Sequence, residues 1–323
     1  MAEIGNNHEG SVALAEELIG LAHEAGADAV KLQTLVPELF ASRTDPDRLA
    51  LMRRFALPLD ETQRLIREAE EAGIHVFSTP LDLVSAQSLG AVAKTFKISS
   101  GDLTFTGLLE SVARLGKDII LSTGASYLTE VRSAVRSVLE VWTEHNIRPD
   151  LALLHCVSSY PALPSSLNLR AMHTLRSHFP EASIGFSDHT IGIDAAVAAV
   201  AAGAVVIEKH FTVDKNYSSF RDHALSADPQ DLRELKNRMN DMEELLGDGE
   251  KRPQAKEMDN RIIMRRSVSA AVDMAEGHLI ERRDLVCMRP GTGIPPKDLD
   301  SVIGRTTMKY FAAGQTLDPA GLK

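Results

Sequence analysis

Residues 183–210 read SIGFSDHTIGIDAAVAAVAAGAVVIEKH, and the fold follows from how this stretch divides. Ile184–Ser187 and Val205–Ile207 are short β-branched or aromatic runs of buried-strand type. Each stops in a polar triplet, Ser187-Asp188-His189 and Glu208-Lys209-His210, and an alanine-rich helix fits between them. Side chains alternate along a strand, so Ser187 and His189 share one side if the strand persists that far, as do Glu208 and His210. Two neighbouring parallel strands then present two imidazoles to one cavity. A lone His at a strand end more often caps the strand and bonds to a loop. The matched placement of two, each with a carboxylate close in sequence, favours a shared functional position.

The same phrase recurs elsewhere. EAGADAVK at 24–31, EAGIHVFS at 71–78 and AAGAVVIE at 201–208 each end a helix at a Gly suited to the left-handed C-cap and start a strand soon after. Working outward, strands are expected near Ala2–Gly5, Ala29–Gln33, His75–Ser78, Thr95–Ile98, Asp118–Ser122, Leu151–Cys156, Ser183–Ser187 and Val205–Lys209. Amphipathic helices are expected at Ser11–Ala25, Asp60–Ala72, Asp82–Leu89, Thr106–Leu115, Leu128–His145, Leu167–His178, Asp194–Ala202 and Pro229–Leu246. Eight strands, each followed by a helix, match the rhythm of an α/β (β/α)₈ TIM barrel over residues 1–246. A doubly wound open sheet is the rival, but no Gly-x-Gly-x-x-Gly follows any strand. The first strand starts almost at Met1, so little chain is left to plug the N-terminal mouth of the barrel; a partner covering that end, or a truncation there, is the expectation.

After Leu246 the texture changes. Residues 247–264 read as a linker, with GDGEKRP followed by a highly charged run. Ser267–Val272 and Leu285–Met288 are β-like, and a turn-rich RPGTGIPP at 289–296 follows. Residues 265–323 are therefore expected to form a small module of about 60 residues, marginal alone and packed on a barrel, its own or a partner's.

Composition sets outer limits. The chain has 323 residues, 44% hydrophobic and 25% charged, which suits a folded globular protein rather than a disordered one. A formal net charge of −10 argues against a nucleic-acid or anionic-membrane surface. Cys156 and Cys287 are too few for a disulfide framework and no charged-then-apolar leader precedes Glu3, so a cytoplasmic location is expected. The longest apolar run, Ala195–Ile207, is too short to span a bilayer.

In a (β/α)₈ barrel the chemistry gathers at the C-terminal ends of the strands. Glu3, Asn6, Asn7 and His8, then Lys31 and Gln33, Thr79, Lys97 with Ser99, Ser100 and Asp102, Ser122, and Ser158 with Tyr160 fall there. Ammonium groups at inward positions are costly unless they meet an anion, although a single solvated Lys is far commoner. With Thr79, Ser100, Ser122 and Ser187, Lys31 and Lys97 make a cradle for a phosphate plus a carboxylate without a P-loop, a combination that suits phosphoenolpyruvate. His189 and His210 supply two nitrogen ligands where a zinc site needs three or four, so a weaker divalent ion such as Mn²⁺ fits better. Glu3, Asp102 and Glu208 are candidate carboxylates for proton transfer or hydroxyl binding; sequence does not rank them.

These motifs carry a resemblance. AEIGNNHEG, AGADAVKLQT, FSTP, KISSGD, LSTG, LLHCVSSYP, FSDHT and EKHFT together strongly resemble the N-acetylneuraminate (sialic acid) synthase family. The tail, with Arg265-Arg266-Ser267 and RPGTGI at 289–294, resembles that family's C-terminal antifreeze-like (SAF, β-clip-type) domain. The resemblance implies condensation of phosphoenolpyruvate with the open-chain aldehyde of an N-acylated hexosamine, N-acetylmannosamine or a close analogue, giving a nine-carbon 2-keto-3-deoxy acid and phosphate. It implies His189 and His210 as ligands of Mn²⁺, or of Mg²⁺ or Co²⁺. Lys31, Thr79, Lys97, Ser100, Ser122, Ser158 and Ser187 would surround phosphoenolpyruvate. Gln33, Asp102, Tyr160 and Asp222 would face the sugar, and Glu3 would act near the reacting carbons. A domain-swapped homodimer is also implied, with Arg289 reaching the other subunit's sugar site. Asp102 stands where many members have Glu, Ser99 replaces a small residue, and Arg221 competes with Asp222 for the sugar contact. Relatives acting on diacetamido-trideoxyhexoses (legionaminic or pseudaminic type), or serving spore-coat polysaccharide synthesis, share nearly all of these motifs. The competing readings are a metal-dependent pyruvate aldolase and a non-catalytic saccharide-binding protein.

Overall fold

The structure, a computed structural model, describes residues 1–323 with the exception of the Arg221 side chain. Eight strands run through the first compact unit, Met1–Gly247. They are β1 (Ala2–Gly5), β2 (Val30–Thr34), β3 (Val76–Pro80), β4 (Thr95–Ile98), β5 (Asp118–Ser122), β6 (Leu151–Cys156), β7 (Ser183–Asp188) and β8 (Ile207–His210). All pair in parallel in sequence order, and β8 returns to β1, so the sheet closes into a barrel rather than the open rival.

Alternation along the strands divides apolar from polar. Ala2, Ile4, Val30, Leu32, Phe96, Ile98, Phe186 and Ile207 pack outward against helix residues such as Leu18, Ile66, Leu108 and Val138. Their sequence neighbours Glu3, Lys31, Lys97, Ser187 and Glu208 turn to the opposite face and contact one another inside the ring. The helices are stopped and started by local chemistry. Ser11 caps Val12–Glu24 by accepting from Leu14 N at 3.2 Å, and Asp82 caps Leu83–Leu89 by accepting from Ser85 N at 2.8 Å. Gly26, Gly73 and Gly203, the glycines of the repeated phrase, sit at φ +91°, +83° and +92°, a conformation that side-chain-bearing residues resist.

Three short helices of this unit escape the sequence pattern: Pro37–Phe40, Pro46–Phe55 and Arg221–Leu225. Pro46–Phe55 buries Leu49 and Phe55 alone, too few to make a periodic stripe; an Asp45 cap and Pro at the first turn start it. The helix expected from Leu167 begins at Ala171 because Asn168 adopts φ +46° and interrupts it.

The second unit, Asp248–Lys323, has its own core of Val268, Ala270, Met274, Ile280, Leu285, Val302, Phe311 and Leu317. β9 (Ser267–Ala270) pairs antiparallel with β10 (Leu285–Met288), and isolated bridges such as Met274↔Phe311 extend the pairing. The helix Glu257–Met264 within the expected linker buries none of its residues. Among the described residues no helix is long and apolar enough to cross a membrane.

Candidate active site at the strand ends

Two lysines and two carboxylates occupy the inside of the barrel. Lys31 Nζ lies 2.6 Å from Glu3 Oε2 and 3.8 Å from Glu208 Oε2, and Lys97 Nζ is also 3.8 Å from Glu208 Oε2. All four side chains are at most 6% exposed. Burial raises the pKa of a carboxyl group, but at Glu208 the two ammonium groups and the Ser187 hydroxyl, which donates at 2.7 Å, reverse this and hold it well below the usual range. At Glu3 burial prevails over Lys31 and the pKa is raised. Burial also lowers Lys97, whereas at Lys31 the two carboxylates overcome it and raise the pKa.

Hydroxyls surround this cluster. Lys31 Nζ donates to Thr79 Oγ1 at 3.1 Å and Lys97 Nζ to Ser122 Oγ at 2.6 Å. Ser100 Oγ accepts from Gly124 N at 3.0 Å. Gly124 is where β5 leaves the barrel, and a Cβ there would stand 2.4 Å from Ser158 Oγ and 2.8 Å from Ser100 Oγ. Glycine thus lets the two hydroxyls converge. The lysines and hydroxyls expected to form an anion cradle therefore lie together, and the lysines are already balanced by Glu208 and Glu3.

His189 and His210 face each other, ring centroids 5.4 Å apart, and Tyr160 packs 4.2 Å from the first and 5.9 Å from the second. His189 Nδ1 donates to Val157 O at 2.9 Å, so in the neutral ring Nε2 carries the lone pair; burial acts to lower the ring's pKa, but Cys156 and the Val157 carbonyl outweigh it and raise the pKa. His210 is buried and held well below the ordinary imidazole pKa by burial and by His189, so it is neutral, and its Nδ1 has no hydrogen-bond partner among the described residues. Two close imidazoles, one carrying a buried nitrogen without a partner, fit a divalent cation whose remaining ligands come from water or substrate. No cluster of three or more His, Cys, Asp or Glu able to hold a metal occurs among the described residues.

The residues expected to face the sugar have these surroundings. Gln33 Nε2 donates to Glu3 Oε1 at 2.8 Å and its Oε1 accepts from Asn6 Nδ2 at 3.3 Å. Asp102 is half-buried, and Ser99 Oγ donates to its Oδ2 at 2.5 Å, so the two residues that depart from the resembled pattern hold each other. Asp222 is buried in the helix Arg221–Leu225; the Arg221 side chain lies outside the described residues. Arg289 belongs to the second unit and donates from Nε to Met264 O at 2.9 Å.

Sequence reading underrated several groups. Glu208 proves to be the common partner of both lysines, a role visible only once β2, β4 and β8 close around it. Cys156 contacts Ser100 Oγ at 3.6 Å and His189 Nδ1 at 3.7 Å. Glu9, at φ +45°, accepts from Ser218 Oγ, from Arg54 Nη2 at 2.8 Å and from His223 Nε2 at 3.3 Å. Asn7 Nδ2 donates to Phe211 O at 2.7 Å and Ser226 Oγ at 3.0 Å. The AEIGNNHEG motif contained these residues, but their partners lie about 50 and 200 residues away, beyond the reach of local pattern.

A family model described as the NeuB family matches residues 18–251, and one for the SAF domain matches residues 265–323. The chain belongs to the NeuB family. It is 43% identical to an uncharacterised protein of Methanocaldococcus jannaschii, over 94% of this chain and 88% of that one. It is 37% identical to the N,N'-diacetyllegionaminic acid synthase of Legionella pneumophila, over 98% of this chain and 92% of the relative. Among solved structures, the N-acetylneuraminic acid synthetase of Leptospira borgpetersenii in complex with citrate superposes with a TM-score of 0.75 at 34% identity, covering 80% of this chain and 88% of that one.

Proposed function

We propose that this NeuB-family protein condenses phosphoenolpyruvate with the aldehyde of an N-acylated hexosamine to give a nine-carbon 2-keto-3-deoxy sugar acid and inorganic phosphate. The observation that carries the proposal is the pair of buried ammonium groups, Lys31 and Lys97, ringed by Thr79, Ser100 and Ser122 and set beside two facing imidazoles at the strand ends. A doubly charged phosphate and a carboxylate need that many positive and donor groups in a dry site.

C3 of phosphoenolpyruvate attacks the aldehyde carbon, water captures the positive charge left at C2, and phosphate leaves with C–O cleavage. Lys31, Lys97 and the hydroxyls, with Ser158 and Ser187, hold the enol phosphate. His189 and His210 would bind Mn²⁺, or Mg²⁺ or Co²⁺ in its place, and the cation supplies Lewis-acid polarisation of the aldehyde carbonyl. Glu3, which can carry a proton, lies close to Lys31 and is suited to proton transfer near the reacting carbons. Gln33, Tyr160 and Asp222 bind the sugar. Proximity and electrostatic stabilisation carry most of the acceleration, so no covalent nucleophile is needed.

A specific observation favours a sugar with an acetamido group in place of one hydroxyl, the diacetamido-trideoxyhexose class. Asp102 has one methylene fewer than the Glu found in many members, and the Ser99 hydroxyl holds the shortened carboxylate. A carboxylate one methylene shorter would suit a bulkier substituent, and the relatives include a diacetyllegionaminic acid synthase at 37% identity beside an N-acetylneuraminic acid synthetase at 34%. The functional assembly in this reading is a cytoplasmic homodimer, with residues 247–264 as the connection across which the small domain is exchanged and Arg289 serving the partner's sugar site.

The test is phosphate release with Mn²⁺ and phosphoenolpyruvate, offered N-acetylmannosamine and a 2,4-diacetamido-2,4,6-trideoxyhexose in parallel. Phosphate formed in step with a new 2-keto acid supports the reading, and the better aldose identifies the class. Product from free pyruvate without phosphate makes the protein an aldolase. Tight sugar binding with no turnover makes it a binding protein.

A further inference from the structure

The chemistry above leaves one buried ion pair without a task. Asp188 and Lys209 are register partners on β7 and β8, and each adjoins a histidine of the site. Both turn away from the cavity, since their neighbours Ser187 and Glu208 turn into it. Asp188 is 0% and Lys209 1% exposed at the side chain, with Nζ 3.0 Å from Oδ2. The pair also grips the backbone beyond His189 at both backbone polar atoms of Thr190. Asp188 Oδ1 accepts from Thr190 N at 2.8 Å, and Lys209 Nζ donates to Thr190 O at 2.5 Å.

This grip comes where the sheet no longer helps. β7 ends at Asp188, so His189 is the first residue beyond the strand; its carbonyl accepts from Ala162 N at 2.9 Å and its ring bonds Val157 O. Thr190 is the anchor on its other side. A buried ion pair adds little to stability over well-packed apolar residues, because desolvation offsets the attraction. What an apolar pair does not supply is a set of directed bonds that hold a chosen backbone in place.

We propose that the Asp188–Lys209 pair is a positioning couple: from the outer face of the sheet it fixes the aim of His189 relative to His210, so that divalent-cation affinity depends on two residues that never touch the cation. The proposal rests on the metal reading of the histidine pair. Asp188 holds the turn, and Lys209 ties that turn to the strand that carries His210. Ligand orientation by surrounding groups of this kind typically changes metal affinity by about 10–100-fold.

The test titrates Mn²⁺ into the full chain, without phosphoenolpyruvate or sugar, and follows free Mn²⁺ by electron paramagnetic resonance. The variants are Asp188→Asn and the charge-neutral double variant Asp188→Asn with Lys209→Met, each checked by circular dichroism for cooperative melting; His189→Ala is the control for the site. The expected result is Mn²⁺ binding by the wild type, loss of binding in His189→Ala, and binding about 10–100-fold weaker in a folded pair variant. Wild-type Mn²⁺ affinity in a folded double variant overturns the proposal. So does failure of both variants to fold, which assigns the pair to stability. Absence of binding by the wild type itself overturns the metal reading, and this inference with it, an outcome separate from the other two.

Discussion

Glu3 and Lys31 meet twice, as register partners on β1 and β2 and as an ion pair with Nζ 2.6 Å from Oε2. Lys31 is shared with Glu208, yet the two carboxylates differ, burial raising Glu3 while Lys31 and Lys97 outweigh burial at Glu208 and lower it. The protonatable member of the pair is therefore Glu3. Glu3→Gln keeps the volume and a hydrogen-bonding side chain but cannot exchange a proton. Its kcat for phosphate release is expected to fall about 10²–10⁴-fold, with the KM for phosphoenolpyruvate changed far less. A larger change in KM than in kcat would assign Glu3 to binding.

Glu208→Gln leaves Lys97 without an ion-pair partner among the described residues and strips Lys31 of one of two. Removing one side of a buried charge cluster costs about 3–5 kcal/mol, so the urea midpoint at pH 7 should drop accordingly. Because the folded-state pKa of Glu208 lies below its unfolded value, its contribution is present above about pH 4.5 and fades as pH falls below that value. The difference between wild type and variant should shrink in the same window.

His8 gives a second source of acid sensitivity. It is 0% exposed, Gly10 N donates to its Nδ1 at 3.1 Å, and burial depresses its pKa from 6.5 to about 4. The unfolded chain protonates first, so stability is full above pH 6.5 and lost as pH falls from 6.5 toward 4. At pH 4.5 the loss due to this group is about 2–3 kcal/mol. His8→Gln should be less stable near neutrality but flatter between pH 6.5 and 4.5, as read from urea midpoints. Parallel profiles would sink the assignment.

Gly124→Ala tests the hydroxyl cradle. The added Cβ pushes against Ser158 Oγ, Ser100 Oγ and Cys156 Sγ, all side-chain ends that can rotate aside, so the fold should survive with a loss of about 1–3 kcal/mol. The rotated hydroxyls no longer converge. Calorimetry should show phosphoenolpyruvate binding weakened about tenfold or more, the equivalent of about 1.4 kcal/mol. Unchanged affinity would place the phosphate elsewhere.

Arg289→Ala should raise the KM for the sugar more than that for phosphoenolpyruvate. At a sugar concentration far below the raised KM, mixing Arg289→Ala chains with His210→Ala chains should give more activity than either alone, because an exchanged dimer would contain one site with both defects and one with neither. No recovery, or an equal effect on both substrates, would argue against the exchange.

The barrel was legible because its repeating unit is local. Every strand begins and ends within two residues of its expected limits, and the glycines that end three helices announced themselves. That the candidate lysines, hydroxyls and histidines fall together at one end of the barrel was legible for the same reason, since each follows from where its strand ends. What local pattern does not carry is pairing across the ring. Glu208 is one of three unranked carboxylates until Lys31 and Lys97 arrive from other strands. The helix Pro46–Phe55 was hidden differently, its polar composition concealing that Arg54 runs out to Glu9.

Glu9, on the segment after β1, collects bonds from the helix after β2 through Arg54 and from the segment after β8 through Ser218 and His223. Loosening the segment that carries Glu9 breaks its contacts to both of the other pieces. One carboxylate thus ties together stretches of chain that follow three different strands of the ring.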